Sequence, residues 1–233
     1  MPSIADVSTT TLDHRDKVSR NALGIGIAVG VYAVSFGVLS VTAGLSPAQT
    51  CVMSMLTFTG ASQFAYIGVL AGGGGALAAL GPAVLLASRN AAYGLSLTPI
   101  LPTRLRDRMV ASQFVIDETT AMARSQDEPE DALRAFKLTA ASVWIFWNLG
   151  TLIGAVLGSG IGNPQTYGLD AMFPAAFLAL MAPQLRRPGA PVAAISGALL
   201  AVILVPLTPV GVPVIAALAG LVPGVLAANG RRR

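Results

Sequence analysis

Of the 233 residues, 54% are hydrophobic and only 11% carry a charge, with mean hydropathy +0.68, against about 25% charged residues in an ordinary soluble domain. This composition excludes a water-soluble globular chain and requires a membrane protein. The net charge of +4 and pI near 9.7 would suit nucleic acid, but Lys and Arg stand at the edges of apolar blocks, where they orient membrane segments, so no nucleic-acid partner is expected.

Residues 1–20 read as a polar tail in which Asp6, Asp13 and Asp16 offset Arg15, Lys17 and Arg20. The apolar run from Asn21 to Val41 is longer than the h-region of a signal peptide and reads as a retained span. From Asn21 to Ser88 and from Pro188 to Gly230 no charged side chain occurs; each run exceeds the roughly 20 residues that one spanning helix needs. Punctuation by Gly, Pro and polar residues divides the chain into spans near 22–42, 48–70, 76–100, 138–160, 168–184, 190–207 and 211–228. Residues 21–101 thus form a first membrane unit of about three spans, and 138–228 a second of about four. A basic tail, 229–233, follows. Kinks are expected near Gly81-Pro82, Phe173-Pro174 and Pro206 to Pro213.

The connector, 102–137, holds most of the charge. Its first part, MVASQFVIDETTAM, has a helical apolar rhythm and reads either as an amphipathic helix beneath the spans or as a solvated link. Its end opens a helix, with Pro129 at the first turn and Glu130 and Asp131 at the positive end of the dipole, which can run on into the fourth span. Eleven basic residues lie in the connector, the Arg186-Arg187 loop and the C-terminal tail. Seven spans with the N-terminus outside place all eleven in the cytoplasm; a re-entrant pair among the early spans instead puts both termini there. The fold class is an all-α polytopic transmembrane bundle. A faint echo between Gly37–Pro47 and Gly154–Pro164, and between 60–64 and 173–177, leaves open two inverted repeats with broken helices, against chance similarity of Gly-rich helices.

Two constellations stand out. In the second span Gly60, Ala61, Ser62, Gln63 and Phe64 follow Thr57 and Thr59; hydroxyls and an amide in hydrocarbon need partners. They are either interhelical glue or a broken segment whose freed backbone binds a zwitterion. In the third span Arg89 and Asn90 interrupt an apolar run. A central arginine costs about 2.5–3.5 kcal/mol on the lenient insertion scale, so it snorkels to an interface, pairs with Asp170, or grips a substrate carboxylate with its planar fork. Asp170 and the connector acids Asp117 and Glu118 are the carboxylates placed to take up a proton, with a solvated or capping role as the plainer reading of Asp117. Trp144 and Trp147 fit an aromatic belt or packing contacts, and Asn148 an interhelical hydrogen bond. The lone Cys51 reads as a small buried hydrophobe. His14 is the only histidine, and HExxH, GxSxG, GxxxxGK and CxxC motifs are all missing, so no catalytic site, metal or cofactor is expected.

FTGASQFAYIGVL, LLASRNAAYGLSLTP, IDETTAMA, WNLGTLIGAVLG and YGLDAMFPAAFLALM, in this order, closely resemble the AzlC family, the large subunit of branched-chain amino-acid exporters, over about residues 20–205. Where that family commonly has Asn-x-Arg-His, this chain has Ala87, Ser88, Arg89 and Asn90; Arg89 and Tyr93 match, and Asn90 removes any proton path through a histidine there. The resemblance implies a multi-pass protein of the bacterial cytoplasmic membrane exporting valine, leucine and isoleucine, with methionine a further candidate. It also implies a small AzlD-like membrane subunit as partner. The expectation is therefore a proton-driven exporter whose substrate contacts are Gly60 to Phe64, Arg89, Asn90 and Tyr93. A passive channel for a small solute, or a non-transporting scaffold subunit, are the other classes these features allow.

Overall fold

A computed structural model describes residues 4–160, 175, 178, 181–182 and 184–230, with side chains from Arg15 onward. Span 168–184, the Phe173-Pro174 kink, Asp170 and the later half of the internal echo fall largely or wholly outside them. The described residues are helical, without a strand: α1 (Ile4–Thr42), α2 (Pro47–Leu56), α3 (Ala61–Ala71), α4 (Ala76–Ala87), α5 (Arg89–Ser96), α6 (Leu105–Gln113), α7 (Asp117–Arg124), α8 (Pro129–Ser159), α9 (Ala190–Leu204), α10 (Val212–Ala216) and α11 (Leu221–Gly230). This is an all-α membrane bundle.

Length decides which helices cross a bilayer unaided. At 1.5 Å per residue a ~30 Å hydrocarbon core takes about 20 residues. Arg15–Thr42, Pro129–Ser159 and the stretch Val212–Gly230 qualify. The second and third expected spans instead come in pieces: α2 and α3 have 10 and 11 residues, α4 and α5 have 12 and 8, each about half a crossing or a little more. The polar tail is not separate from the first span; α1 runs through both. Likewise α8 opens at Pro129 with Glu130 and Asp131 in its first turn and continues unbroken to Ser159.

The chain forms two compact units interleaved in sequence: residues 1–38, 46–59 and 88–159 in the first, and 39–45, 60–87 and 160–233 in the second. In the first, α1 meets α8 along a seam of small residues. A Cβ on Gly37 would strike the backbone of Thr151, Gly154 and Ala155, and one on Gly150 or Gly154 would strike the carbonyl of Gly30 or Val34. Small residues at such spacing let two backbones approach closely, which replaces the hydrophobic drive that lipid removes. Trp147 is buried on this seam, stacked on Phe36 at 5.6 Å, so it serves packing, not a belt. Asn148 bonds within its own helix, to the Trp144 carbonyl at 2.8 Å. α2 is fastened to α8 by Ser54 Oγ donating to Thr151 Oγ1 at 3.1 Å, both buried. Its start is a reciprocal cap: Ser46 Oγ accepts the Gln49 N–H, and Gln49 Oε1 accepts the Ser46 N–H, with Pro47 in the first turn.

In the second unit, α3 lies against α4. A second glycine seam joins α9 and the turn before it to the stretch from Ala217 to Gly230: Gly197 and Gly220 face each other through backbone, as do Gly189 and Gly224. Gly81 and Gly211 bring α4 to the Val210–Ile215 stretch. Pro82 lies inside α4 without ending it; the interruption falls six residues later, at Ser88.

Candidate functional site

The second span breaks where a glycine allows it. Gly60 has φ +60° and ψ −92°, close to the rare strained γ-turn geometry that side chains avoid. Gln63 turns back so that its Oε1 accepts the Gly60 N–H at 3.2 Å, and the Phe64 N–H reaches the Gly60 carbonyl at 3.1 Å. One donor freed by the break is thus met by the helix's own third residue. Ala61, Ser62, Gln63 and Phe64 are all buried in the second unit. On the other side of the break, in the first unit, the Leu56 carbonyl accepts from Gln113 Nε2 of α6 at 2.8 Å, and Phe58 packs edge-on against Phe114. Both ends of the broken span are therefore capped by side chains. Farther along the second unit, an apolar cavity of about 550 Å³ is lined by Ala65, Val69, Pro82, Leu86, Val205 and Val214.

The third span changes more gently. Ser88 stays right-handed helical (φ −58°, ψ −26°), and the Ala91 N–H turns to the Ser88 carbonyl at 3.1 Å, an i to i+3 contact that tightens the ladder. Arg89 follows as the first residue of α5. Its Nη1 lies 2.9 Å from Asp117 Oδ2, the first residue of α7, within the first unit; the two side chains keep 36% and 40% of their exposure. The pair is thus open on one side. Its other carboxylate oxygen, Asp117 Oδ1, is buried with no hydrogen-bond partner among the described residues. Tyr93, one turn beyond Arg89, is half-buried against a cluster of Leu97, Leu101, Val115, Ala123 and Phe136, which ties α5 to α7 and α8. Asn90 is half-buried beside Arg89.

α7 owes its place to the connector's apolar rhythm. Val115, Ile116, Met122 and Ala123 are buried, whereas Met109 and Val110 of α6 are exposed. Thr119 completes its start: Thr119 Oγ1 accepts the Ile116 N–H at 3.1 Å and donates to the Phe114 carbonyl at 2.7 Å. This geometry leaves two acids, Asp117 and Glu118, half-buried at the start of α7. The Glu118 carboxyl, outside the spanning helices, is pushed above its usual range chiefly by burial, with a backbone hydrogen bond opposing, and then by the charge of Asp117 against the weaker opposing pull of Arg89.

Of the expected site residues, the structure joins Arg89 to Asp117, with Tyr93 one turn along the same helix and Glu118 next in the chain. Gly60 to Phe64 belong to the second unit. Asp170 lies outside the described residues. The Arg89–Asp117 pairing was not legible in the chain, since 28 positions and the whole of α6 separate the two residues; the one usable signal was that Asp117 and Glu118 follow the apolar Phe114-Val115-Ile116 run and so open a helix docked on the bundle. Among the described residues no cluster of His, Cys, Asp and Glu could hold a metal.

Comparison with known proteins bears on the same stretch. Residues 24–161 match the family described as AzlC protein. The chain is 31% identical over 219 residues to "Inner membrane protein YgaZ" of Escherichia coli (strain K12), covering 90% of this chain and 87% of that protein. It is 34% identical over 192 residues to an "Uncharacterized membrane protein" of Archaeoglobus fulgidus, covering 81% and 84%. No solved structure matches.

Proposed function

The chain belongs to the AzlC family of membrane proteins, and from that membership we propose that it is a secondary transporter exporting valine, leucine and isoleucine. Export is driven by the proton motive force and needs a small AzlD-like membrane subunit. The observation that carries this reading is Arg89: a guanidinium in an apolar run, at the start of a half-helix, held at 2.9 Å by an acid from another element and open on one side. A permanently charged planar fork in that setting is built to take a carboxylate. Asn90 and Tyr93 border it on α5 and are the neighbouring contacts we assign to the substrate; the broken segment Gly60 to Phe64, in the second unit, is a separate candidate contact that calls for its own variants. Asp117 and Glu118 are the carboxylates available for proton uptake on the same helix start.

The test is efflux of labelled valine, leucine and isoleucine from cells expressing this chain with the small subunit. Arg89→Ala should lower efflux to the level of cells lacking the protein, with its amount in the membrane unchanged. Export that continues unaltered in that variant refutes the assignment of Arg89; export that persists after the proton gradient is collapsed refutes the coupling.

A further inference from the structure

A carboxylate has about four lone-pair sites, and an isolated ion pair of one arginine nitrogen and one oxygen leaves most of them unmet. Asp117 is in this position: Oδ2 receives Arg89, while Oδ1 is buried and has no donor among the described residues. A buried charged acceptor without a donor is unfavourable, so the site is completed by whatever brings one. The pair's remaining exposure, 36% and 40%, leaves it within reach of a small ligand.

We propose that the Arg89–Asp117 pair reads a free amino acid as a zwitterion, the substrate carboxylate taking over Arg89 while Asp117 accepts the substrate ammonium. This rests on the transporter reading above and specifies how its substrate is recognised. The argument is charge balance. Before loading, +1 faces −1 at 2.9 Å; a zwitterion is itself neutral and presents one charge of each sign. When it enters between the two side chains, each protein charge exchanges one opposite partner for another and none is left bare. An ammonium brings three donors, enough to serve the Oδ1 that is otherwise unpartnered. A carboxylate without an ammonium would occupy Arg89 and leave Asp117 facing a like charge; an amine without a carboxylate would strand Arg89. The pair therefore selects for the main-chain groups of an amino acid and is indifferent to its side chain. Glu118, with its carboxyl shifted towards the neutral form by burial, disturbs this balance less than an ordinary glutamate would.

The experiment measures competition for labelled valine in membrane vesicles containing the full chain and its small subunit. The competitors are unlabelled valine, its deaminated analogue 3-methylbutanoate, and its decarboxylated analogue isobutylamine. The unaltered protein should respond to valine alone. In Asp117→Asn, valine affinity should fall about tenfold or more, and 3-methylbutanoate should now compete, because Arg89 is left with a free positive charge. Valine binding as tight in Asp117→Asn as in the unaltered protein, with both analogues still excluded, overturns the inference and leaves the transporter reading standing. Equal competition by valine and either analogue in the unaltered protein overturns it without any variant. Absence of valine binding to the unaltered protein overturns the functional reading, and this one with it.

Discussion

The α1–α8 seam makes a quantitative prediction for Gly154→Ala. The added Cβ would overlap the Val34 carbonyl oxygen and stand 2.9 Å from its carbon and 3.0 Å from the Gly37 Cα. Every neighbour is backbone, so no rotamer change relieves the overlap; the helices must part by roughly 1 Å, which forfeits a quarter to a half of the dispersion energy of each contact along the seam. Overpacking of this kind costs about 1–3 kcal/mol. Gly24→Ala is the control, because nothing lies within 4 Å of a Cβ there and replacing an exposed helical glycine by alanine gains about 0.5–1 kcal/mol. The two single-methyl variants should therefore differ by about 1.5–4 kcal/mol, with opposite signs. Thermal unfolding of the detergent-solubilised protein, followed by circular dichroism, reads this directly: at 2–4 °C per kcal/mol for a chain of this size, Gly154→Ala should lower Tm by about 2–12 °C. A Gly154→Ala protein as stable as Gly24→Ala would refute the close approach of α1 and α8.

Two further outcomes follow from local geometry. Gly60→Ala meets no steric obstacle but must hold φ +60°, so backbone strain alone should destabilise the protein by about 1–3 kcal/mol, visible in the same melts; a Tm unchanged from the parent protein would refute the break. Glu118 binds its proton more tightly folded than unfolded, so its contribution is fully present below the unfolded value near 4.5 and is lost as pH rises through the higher folded value. Tm of the parent should decline over that window relative to Glu118→Gln, and parallel pH profiles of the two proteins would show that Glu118 is not buried in the way described.

Hydropathy made the membrane class legible because lipid tolerates so few charges: two runs without a single charged residue admit no other class. Helix starts were legible where they depend on neighbours in the chain, as at Pro129, Glu130 and Asp131. For Gly60 to Gln63 the chain left a broken segment open against interhelical glue; the structure shows the break, with Gln63 capping the Gly60 N–H. Ser88 was less legible, because neither Gly nor Pro marks it and Pro82, the obvious candidate, is carried inside α4 without ending it. Trp147 and Asn148 show the limit from another side: an aromatic or amide in a span reads alike whether it faces lipid, a neighbour or its own helix, and only packing chooses.

Read along the chain alone, the residues establish a polytopic α-helical membrane protein resembling the AzlC family, the positions where charge is confined, and Arg89 as an anomaly needing a partner. These follow from the cost of polar groups in hydrocarbon and from periodicity, both of which are read along the chain. Packing alone settles that the partner of Arg89 among the described residues is Asp117, that its second oxygen is buried unmet among them, and that the connector is folded into the first unit. Those outcomes depend on which faces meet across dozens of residues. A single chain of letters holds no distance between Arg89 and Asp117; the packing of α5, α7 and α8 around Leu97, Val115 and Phe136 supplies it.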